Sequence, residues 1–542
     1  MNKDTELDMK EVELNELDPE KQPMTGDGQA PGGEKNGSVK LKVPDDEVTF
    51  TGLSKEELMK VAGTPGWVRT RWVLLVLFWL GWIGMLAGAI VIIVQAPRCK
   101  AIPEMNWWNE GPVYQITDLE AFSRGLKGVE EKLDDINQLK VKSLVIGPLH
   151  TVQANQMTGL NLQEISAELG KAEDLDSLLK AAHKKGISVV LDLTPNYKGN
   201  PVWFDKTDLT EIMEKVKTAA EFWLSKGVDG IKISDLGIAS ISPEWAKLRM
   251  AVQGNGTDDT KKRALMGVVN NISANEVSQL VNVSGVDLIL SDLLSRNTEG
   301  KERIEVLKTL HSEQRKIGWG LGAAQKDHLS KRATTWGLIR LYQLLLFTLP
   351  GTPVFTYGDE IGLQANQMSN KANQTREAPK MVWNVEKEET DGAKVSVGVF
   401  SLSLIKRLFA LSAVKHFLEF HLQSNHTEYA EIRKWFRSLS DLRGKERSLL
   451  HGDYYGLYSS AKSLSFLRVW DQSERYITAV NWGDGLEELK LNLEPTEGVE
   501  LPETAKVKLS TDKDFEVDST VNLKDLKLNA GQALLLQFPY TG

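Results

Sequence analysis

Apolar positions follow three different rhythms along the chain. From Met1 to about Phe50 they are sparse among Glu, Asp, Lys and Gly, and aromatic residues are nearly absent. Such a composition cannot repay the entropy of ordering, so this stretch is expected to be a disordered tail. From Trp72 to Val94 the rhythm becomes an unbroken run, WVLLVLFWLGWIGMLAGAIVIIV, without a charged residue. At about 1.5 Å per residue, a helix of this length crosses a hydrocarbon core of roughly 30 Å. Beyond it, helical and strand-like spacings alternate. Val129 to Leu139 carries apolar residues at helical spacing and is followed by the short apolar run Ser143 to Ile146, which ends in Gly147 and Pro148. The step recurs as Leu175 to Lys185 before Ser188 to Leu193, and as Leu209 to Ser225 before Gly230 to Ile233. This alternation predicts a parallel sheet, either a barrel or a doubly wound sheet. After about Asp453 the pattern changes to short strands such as Tyr476 to Asn481 and Ala533 to Phe538, separated by Gly, Asp, Pro and Glu clusters, which predicts a small antiparallel β domain.

One segment breaks the pattern. Val395 to Leu422 is unusually apolar, yet Lys406, Arg407 and Lys415 interrupt it, and no part reaches the roughly 20 clean apolar residues of a membrane span. A buried or amphipathic insertion is the favoured reading, with a translated non-coding stretch as the alternative.

Charge then orients the membrane helix. Lys55, Lys60, Arg69 and Arg71 precede it, whereas only Arg98 and Lys100 follow closely, so the N-terminus is expected to face the cytoplasm. Everything after Cys99 would be extracellular, in accord with the five downstream glycosylation sequons at Asn255, Asn271, Asn282, Asn373 and Asn425. No signal peptide is read in the acidic, polar first fifty residues. A net charge of -9 supplies no broad cationic surface, which argues against a nucleic-acid partner. Cys99 is the only cysteine among 542 residues, so no internal disulfide and no thiolate metal cluster can form. Placed just past the helix on the oxidising side, it reads as a residue for intermolecular pairing; an unpaired thiol or a lipidated cysteine are the competing readings.

Specific motifs now carry a resemblance. Leu349-Pro-Gly-Thr-Pro-Val-Phe-Thr-Tyr-Gly-Asp-Glu-Ile-Gly-Leu363, Arg376-Glu-Ala-Pro-Lys-Met-Val-Trp383, Asp192-Leu-Thr-Pro-Asn-Tyr197 and Gly227-Val-Asp-Gly-Ile-Lys-Ile-Ser-Asp235 stand in the order of the α-amylase superfamily signatures. The resemblance covers roughly Trp107 to the end and implies a (β/α)8 TIM barrel followed by an antiparallel β-sandwich domain. Phe50-Thr-Gly-Leu-Ser-Lys-Glu-Glu-Leu58, Val61-Ala-Gly-Thr-Pro-Gly-Trp-Val-Arg-Thr-Arg-Trp72 and Ala96-Pro-Arg-Cys99 further resemble the heavy chains of heteromeric amino-acid transporters, from which residues 391–430 depart. The resulting expectation is a single-pass, type II plasma-membrane protein. Its parts would be a cytoplasmic tail (1–71), the membrane helix (72–94), a neck with Cys99 (95–106), the barrel (107–452, with 391–430 as an atypical insertion) and the β domain (453–542). The resemblance implies a disulfide through Cys99 to a polytopic light chain that carries the amino acid, and contacts with integrin β subunits.

The same alignment of motifs predicts a silent barrel. Retaining glycosidases of the superfamily need a carboxylate nucleophile and a carboxylic acid about 5 Å apart. The nucleophile position, four residues after Gly230, holds Ser234, and the arginine position before it holds Lys232. Asp235 is one residue off, and side chains alternate across a strand, so it is expected to face the other way. The general-acid position on the next strand, placed at Leu265 to Val269, holds Val268, and the late Asn-His-Asp signature aligns with Ala323-Ala324-Gln325. Tyr197 replaces the histidine of the early strand motif. A new site built from Asp235, Asp327 or Asp192 remains the alternative to plain solvated carboxylates. No catalytic residue, cofactor or metal is expected.

Within the membrane helix, Gly81, Gly84 and Gly88 form a stripe of small residues suited to packing on another helix, although glycine is common in such helices anyway. Trp72, Trp79 and Trp82 read as interfacial anchors or lipid-facing bulk. Arg69 and Arg71 would meet anionic membrane lipids, or serve topology alone. One helix with no ionisable residue offers no path for a polar solute. Three classes of function compete on this evidence: a transporter-associated scaffold, an adhesion or receptor ectodomain, and a membrane-anchored α-glucosidase-like hydrolase.

Overall fold

Proline fits the first turn of a helix because its missing N–H would have no partner there. The membrane helix uses this, running Pro65–Gln95 over 31 residues and so starting ahead of the apolar stretch to take in Arg69 and Arg71. The computed structural model describes residues 54–95, 99–204, 209–254, 262–321, 328–364, 378–383, 411–493 and 499–540, with backbone alone over 411–426. The expected disordered tail lies outside these residues, as does Val395 to Ala410 of the apolar segment; from Leu411 onward that segment enters the long helix Leu411–Lys445. Two compact units result, Met1–Pro97 and Arg98–Gly542.

In the first unit, a short helix, Lys55–Ala62, is capped reciprocally: the Ser54 hydroxyl accepts from the Glu57 N–H at 3.4 Å and the Glu57 carboxylate accepts from the Ser54 N–H at 3.2 Å. The Pro65–Gln95 helix that follows buries none of its residues, and its Trp, Leu, Ile and Val side chains stand exposed around the whole circumference. An apolar surface on every side has no stable place in water, and this helix has the length and composition of a single-pass membrane anchor.

The second unit begins with a closed parallel barrel of eight strands in sequence order. They are β1 (Val113–Ile116), β2 (Ser143–Ile146), β3 (Ser188–Asp192), β4 (Gly230–Ile233), β5 (Ala264–Val269), β6 (Leu288–Ser291), β7 (Ile317–Trp319) and β8 (Thr352–Thr356). The alternation thus resolves as a barrel and not as a doubly wound sheet. Every strand is buried on both faces, which is why the runs read as continuous apolar stretches. Val113, Val145, Val190, Ala264, Met266, Val268, Leu288, Leu290 and Val354 fill the interior, while the alternate residues Leu144, Val189, Ile231, Leu265 and Ile289 pack outward against the helices. Below, the helix Trp107–Glu110 closes the barrel floor: Trp108 joins the interior cluster, and the Asn109 amide donates to Thr352 Oγ1 at 2.9 Å on β8.

Predicted helices appear with small differences. Leu209–Ser225 is found as expected, whereas the Val129 to Leu139 stretch breaks into Leu126–Glu131 and Leu133–Gln138 around Lys132, whose φ of −97° and ψ of 4° leave the helical region.

The chain closes with β9 (Asp453–Ser459), β10 (Ser463–Val469), β11 (Arg475–Asn481), β12 (Glu487–Leu489), β13 (Thr504–Ser510), β14 (Thr520–Asn522), β15 (Leu526–Leu528) and β16 (Ala533–Phe538). Six of them form a sheet in the order β14-β13-β16-β11-β10-β9, faced by the pair β12-β15. Alternation with period two assigns the faces. Leu464, Phe466, Tyr476, Val480, Ala533 and Leu535 join the barrel's core, whereas Leu467, Ile477, Ala479, Leu534 and Leu536 build a separate core with Leu489 and Leu526. Two buried guanidiniums secure the junction. Arg443 donates to the carbonyls of Phe347, Leu349 and Leu449, and Arg468 to those of Thr348 at 2.7 Å and Gly452 at 2.8 Å. They satisfy carbonyls at the C-terminus of the Trp336–Thr348 helix that have no intrahelical partner.

Candidate functional site

In a barrel of this kind, chemistry resides where the strands end at their C-terminal face. Here the ends of β3 and β4 bring together Asp192, Thr194, Lys232 and Ser234, all buried. Lys232 on β4 and Ser234, one residue past its end, are buried beside Asp192 and Thr194. Lys232 Nζ lies 2.8 Å from Asp192 Oδ2, with both side chains almost fully shielded. The Thr194 backbone N–H donates to Asp192 Oδ1 at 2.9 Å and the Thr194 hydroxyl donates to the same oxygen. With its proton committed there, Thr194 Oγ1 accepts from the Ser234 hydroxyl at 2.7 Å. Trp203 Nε1 donates to the Ser234 carbonyl at 2.9 Å and fixes the backbone. Ser234, expected at the nucleophile position, therefore belongs to a chain of hydrogen bonds that ends on an ion-paired carboxylate.

Val268 sits on β5 inside the apolar barrel cluster, fully buried among Met266, Leu290 and their neighbours. Asp235 heads the helix Leu236–Ala239 with a φ of 52°, half-buried, its carboxyl pushed up by desolvation. It takes no part in the relay of Asp192. Gln325 and Asp327 lie outside the described residues.

Beside the relay, Tyr197 donates from its hydroxyl to the His150 carbonyl at 3.0 Å, and the two rings meet edge to face at 5.3 Å. His150 Nε2 lies 3.1 Å from the Pro195 carbonyl and must carry the proton there, and burial lowers the imidazole's pKa. Sequence reasoning missed His150, since nothing local to the Gly147-Pro148-Leu149-His150 turn marks it as a neighbour of Tyr197. A second buried group was missed at the end of β8. Asp359 accepts from the N–H groups of Leu329 at 2.7 Å and Thr356 at 2.8 Å, and burial pushes its carboxyl up to about 7. Glu360, also raised by burial, accepts from the Tyr114 hydroxyl at 2.8 Å. His328 lies 3.9 Å from Asp359, but desolvation holds the imidazole down to about 4, so the pair is not an ion pair near neutral pH. The signal was present in Tyr357-Gly-Asp-Glu360, read only as part of a signature. These acids tie loops to strand ends. Among the described residues no group of His, Cys, Asp or Glu is arranged to hold a metal.

The other predicted positions are scattered. Cys99 is exposed. Around Gly81, Gly84 and Gly88 nothing stands within 4 Å of where a Cβ would sit, so within the chain these positions are open. Asn271 and Asn282 are exposed, Asn271 just after β5 with a φ of 58° and Asn282 on the helix Ala274–Ser284. Asn255 and Asn373 lie outside the described residues, as does the side chain of Asn425.

An eight-stranded parallel barrel with polar groups gathered at its strand ends and an antiparallel sheet behind it is the α-amylase fold. The family described as alpha amylase, catalytic domain, matches residues 116–210. The crystal structure of an α-amylase from Geobacillus thermoleovorans complexed with acarbose superposes with a TM-score of 0.54 at 16% identity, covering 80% of this chain and 99% of that one. The isomaltulose synthase of Protaminobacter rubrum gives 0.56 at 15% identity, covering 81% and 100%. Within that fold class, the sequence is more specific: the chain belongs to the SLC3A2 family of amino acid transporter heavy chains. The family described as solute carrier family 3 member 2 N-terminus matches residues 38–114. The mouse amino acid transporter heavy chain SLC3A2 is 43% identical over 555 residues, covering the whole of both chains, and the rat protein is equally similar. The human heavy chain SLC3A1 is 24% identical over 614 residues, covering 90% of this chain and 85% of its own.

Proposed function

We propose that this chain is the non-catalytic heavy subunit of a two-chain amino-acid transporter, which binds a polytopic light chain through its membrane helix and Cys99 and brings it to the plasma membrane. The observation that carries this reading is the full-length identity to the mouse heavy chain, joined to a lone exposed cysteine four residues beyond the end of the apolar helix. The excess of Lys and Arg before the helix supports a type II orientation, with the tail to residue 71 in the cytoplasm and the neck, barrel and β domain outside. Outside, Cys99 is in a compartment where an interchain disulfide persists, and Asn271 and Asn282 offer exposed sequons. Residues 72–94 contain no ionisable side chain, so this helix supplies no solute pathway and transport falls to the partner.

The barrel contributes a folded extracellular body and no hydrolysis. Ser234 cannot serve as a carboxylate nucleophile, and Val268 cannot protonate a leaving group. Asp192 is already ion-paired with Lys232.

Affinity purification of the full-length chain from cell membranes, followed by mass spectrometry and by assay of α-glucoside hydrolysis, tests this reading. The expected result is a co-purifying polytopic transporter and no turnover above background. Sugar turnover that a barrel-mouth substitution abolishes would overturn it, and recovery of cell-surface adhesion proteins without any transporter would transfer the function to an adhesion ectodomain.

A further inference from the structure

The residue after Cys99 is held by the β domain. Lys100 donates its backbone N–H to Asp471 Oδ2 at 3.0 Å, its Nζ stands 4.7 Å above the ring of Trp470, and the same Nζ lies 3.8 Å from Asp453 Oδ2. Asp453 opens β9 and pairs with Val469 at the end of β10, so all three partners belong to one corner of the sheet. Trp470 is itself buried, and Asp471 turns the chain with a φ of 44° while the Ser473 N–H closes the turn on the Trp470 carbonyl at 2.8 Å. The platform under Lys100 is thus built from packed residues. The Lys100–Asp453 approach is half exposed and weak by itself, but the backbone bond and the cation–ring contact do not depend on it.

The neck has a second fixed point. Lys262 Nζ reaches Asn106 Oδ1 at 3.4 Å, and Trp107 Nε1 donates to the Lys262 carbonyl at 2.8 Å, just before the floor helix Trp107–Glu110. The segment from Lys100 to Asn106 is therefore pinned at both ends, to the β domain and to the barrel floor, with Ile102 exposed between them.

We propose that the corner formed by Asp453, Trp470 and Asp471 is a docking site for the chain's own neck, and that Lys100 and Asp471 are positioning residues which present Cys99 to the partner's thiol in one orientation. The interchain bond then couples the partner to the extracellular body directly, and part of the orientational search is completed on folding of this chain. This use of the clamp rests on the heavy-chain reading; the clamp itself does not.

Because Cys99 is the only cysteine, a nitroxide attached there in the full-length protein reads the clamp without further engineering. Two variants separate its parts. Asp471→Gly removes the acceptor of the Lys100 N–H while keeping the left-handed turn allowed, and Lys100→Gln removes the charge while keeping the backbone bond. Wild type is expected to give a restricted lineshape and Asp471→Gly a mobile one, with Lys100→Gln between them. In membranes that contain the light chain, initial formation of the reducible adduct is expected to slow roughly threefold or more in Asp471→Gly, since a freed segment lowers the effective concentration of the thiol. A wild-type label as mobile as that of Asp471→Gly would overturn the clamp. A mobile label with an unchanged adduct rate would overturn the positioning role. If wild type forms no adduct at all, the heavy-chain reading and the positioning role both fail, while the lineshapes still decide whether the neck is docked.

Discussion

At the barrel mouth, Asp192, Thr194, Lys232 and Ser234 bond to one another; along the Pro65–Gln95 helix, Trp72, Leu80, Ile92 and their neighbours lie open on every side. In other members of the barrel class the mouth is where polar groups await a ligand. Among the described residues of this chain those four groups bond to one another, whereas the apolar side chains of the anchor stand open. Position at a barrel mouth is thus not by itself a sign of a ligand site, and whether its polar groups are already paired has to be read with it.

Breaking the mouth should have the largest effect. Lys232→Met strands the Asp192 carboxylate in a buried site, and removal of one member of a buried pair costs about 3–5 kcal/mol. The expected readout is a lower denaturation midpoint of the full chain, largely restored by adding Asp192→Leu, since replacing both partners with apolar residues removes the stranded charge. An equal loss in the double variant would show that the pair does more than neutralise itself.

Breaking the anchor comes next. Leu80→Arg places a cation near the centre of the apolar run and should disfavour membrane insertion by roughly 2.5–3.5 kcal/mol, read as a reduced membrane-integrated fraction with the extracellular fold intact. Unchanged insertion would contradict the assignment of this helix to the bilayer.

Among the described residues Asp359 has no counter-cation like Lys232, and its folded pKa of about 7 lies above the unfolded value, so its contribution to stability is lost as pH rises from about 4 through 7. His328, held down to about 4, contributes with the opposite sign, because folding stability falls as pH drops from about 6.5 towards 4. Between about pH 5 and 6.5 the two cancel in part. Asp359→Asn should therefore gain stability as pH rises through that window, and His328→Gln should lose it, each by up to about 1.4 kcal/mol per pH unit. Denaturant midpoints across the window check both slopes, and parallel curves for the two variants would refute the assignment.

Much of this arrangement is legible in the sequence, for local reasons. The anchor is an uninterrupted apolar run, and the barrel strands are short apolar runs between amphipathic helices. Strand alternation is the reason for separating Ser234 from Asp235 in the sequence, but β4 ends at Ile233, and Asp235 leaves the extended region with a φ of 52° to head the next helix. What could not be read is contact between residues remote in sequence. Lys100 meets Asp471 across 371 positions, and neither residue belongs to a patterned element. His150 meets Tyr197 through two loops, and Asp359 owes its perturbed carboxyl to burial that a signature such as Tyr357-Gly-Asp-Glu360 does not announce. The break at Lys132 escaped for a related reason, because helical spacing of apolar residues survives a single non-helical residue.

Whether the proposed interchain disulfide forms is read by electrophoresis of the full-length protein from cell membranes, with and without reductant, comparing wild type with Cys99→Ser. A reducible adduct containing a polytopic transporter is expected in wild type and not in the variant. No adduct in wild type, or an adduct that survives Cys99→Ser, would contradict the proposal.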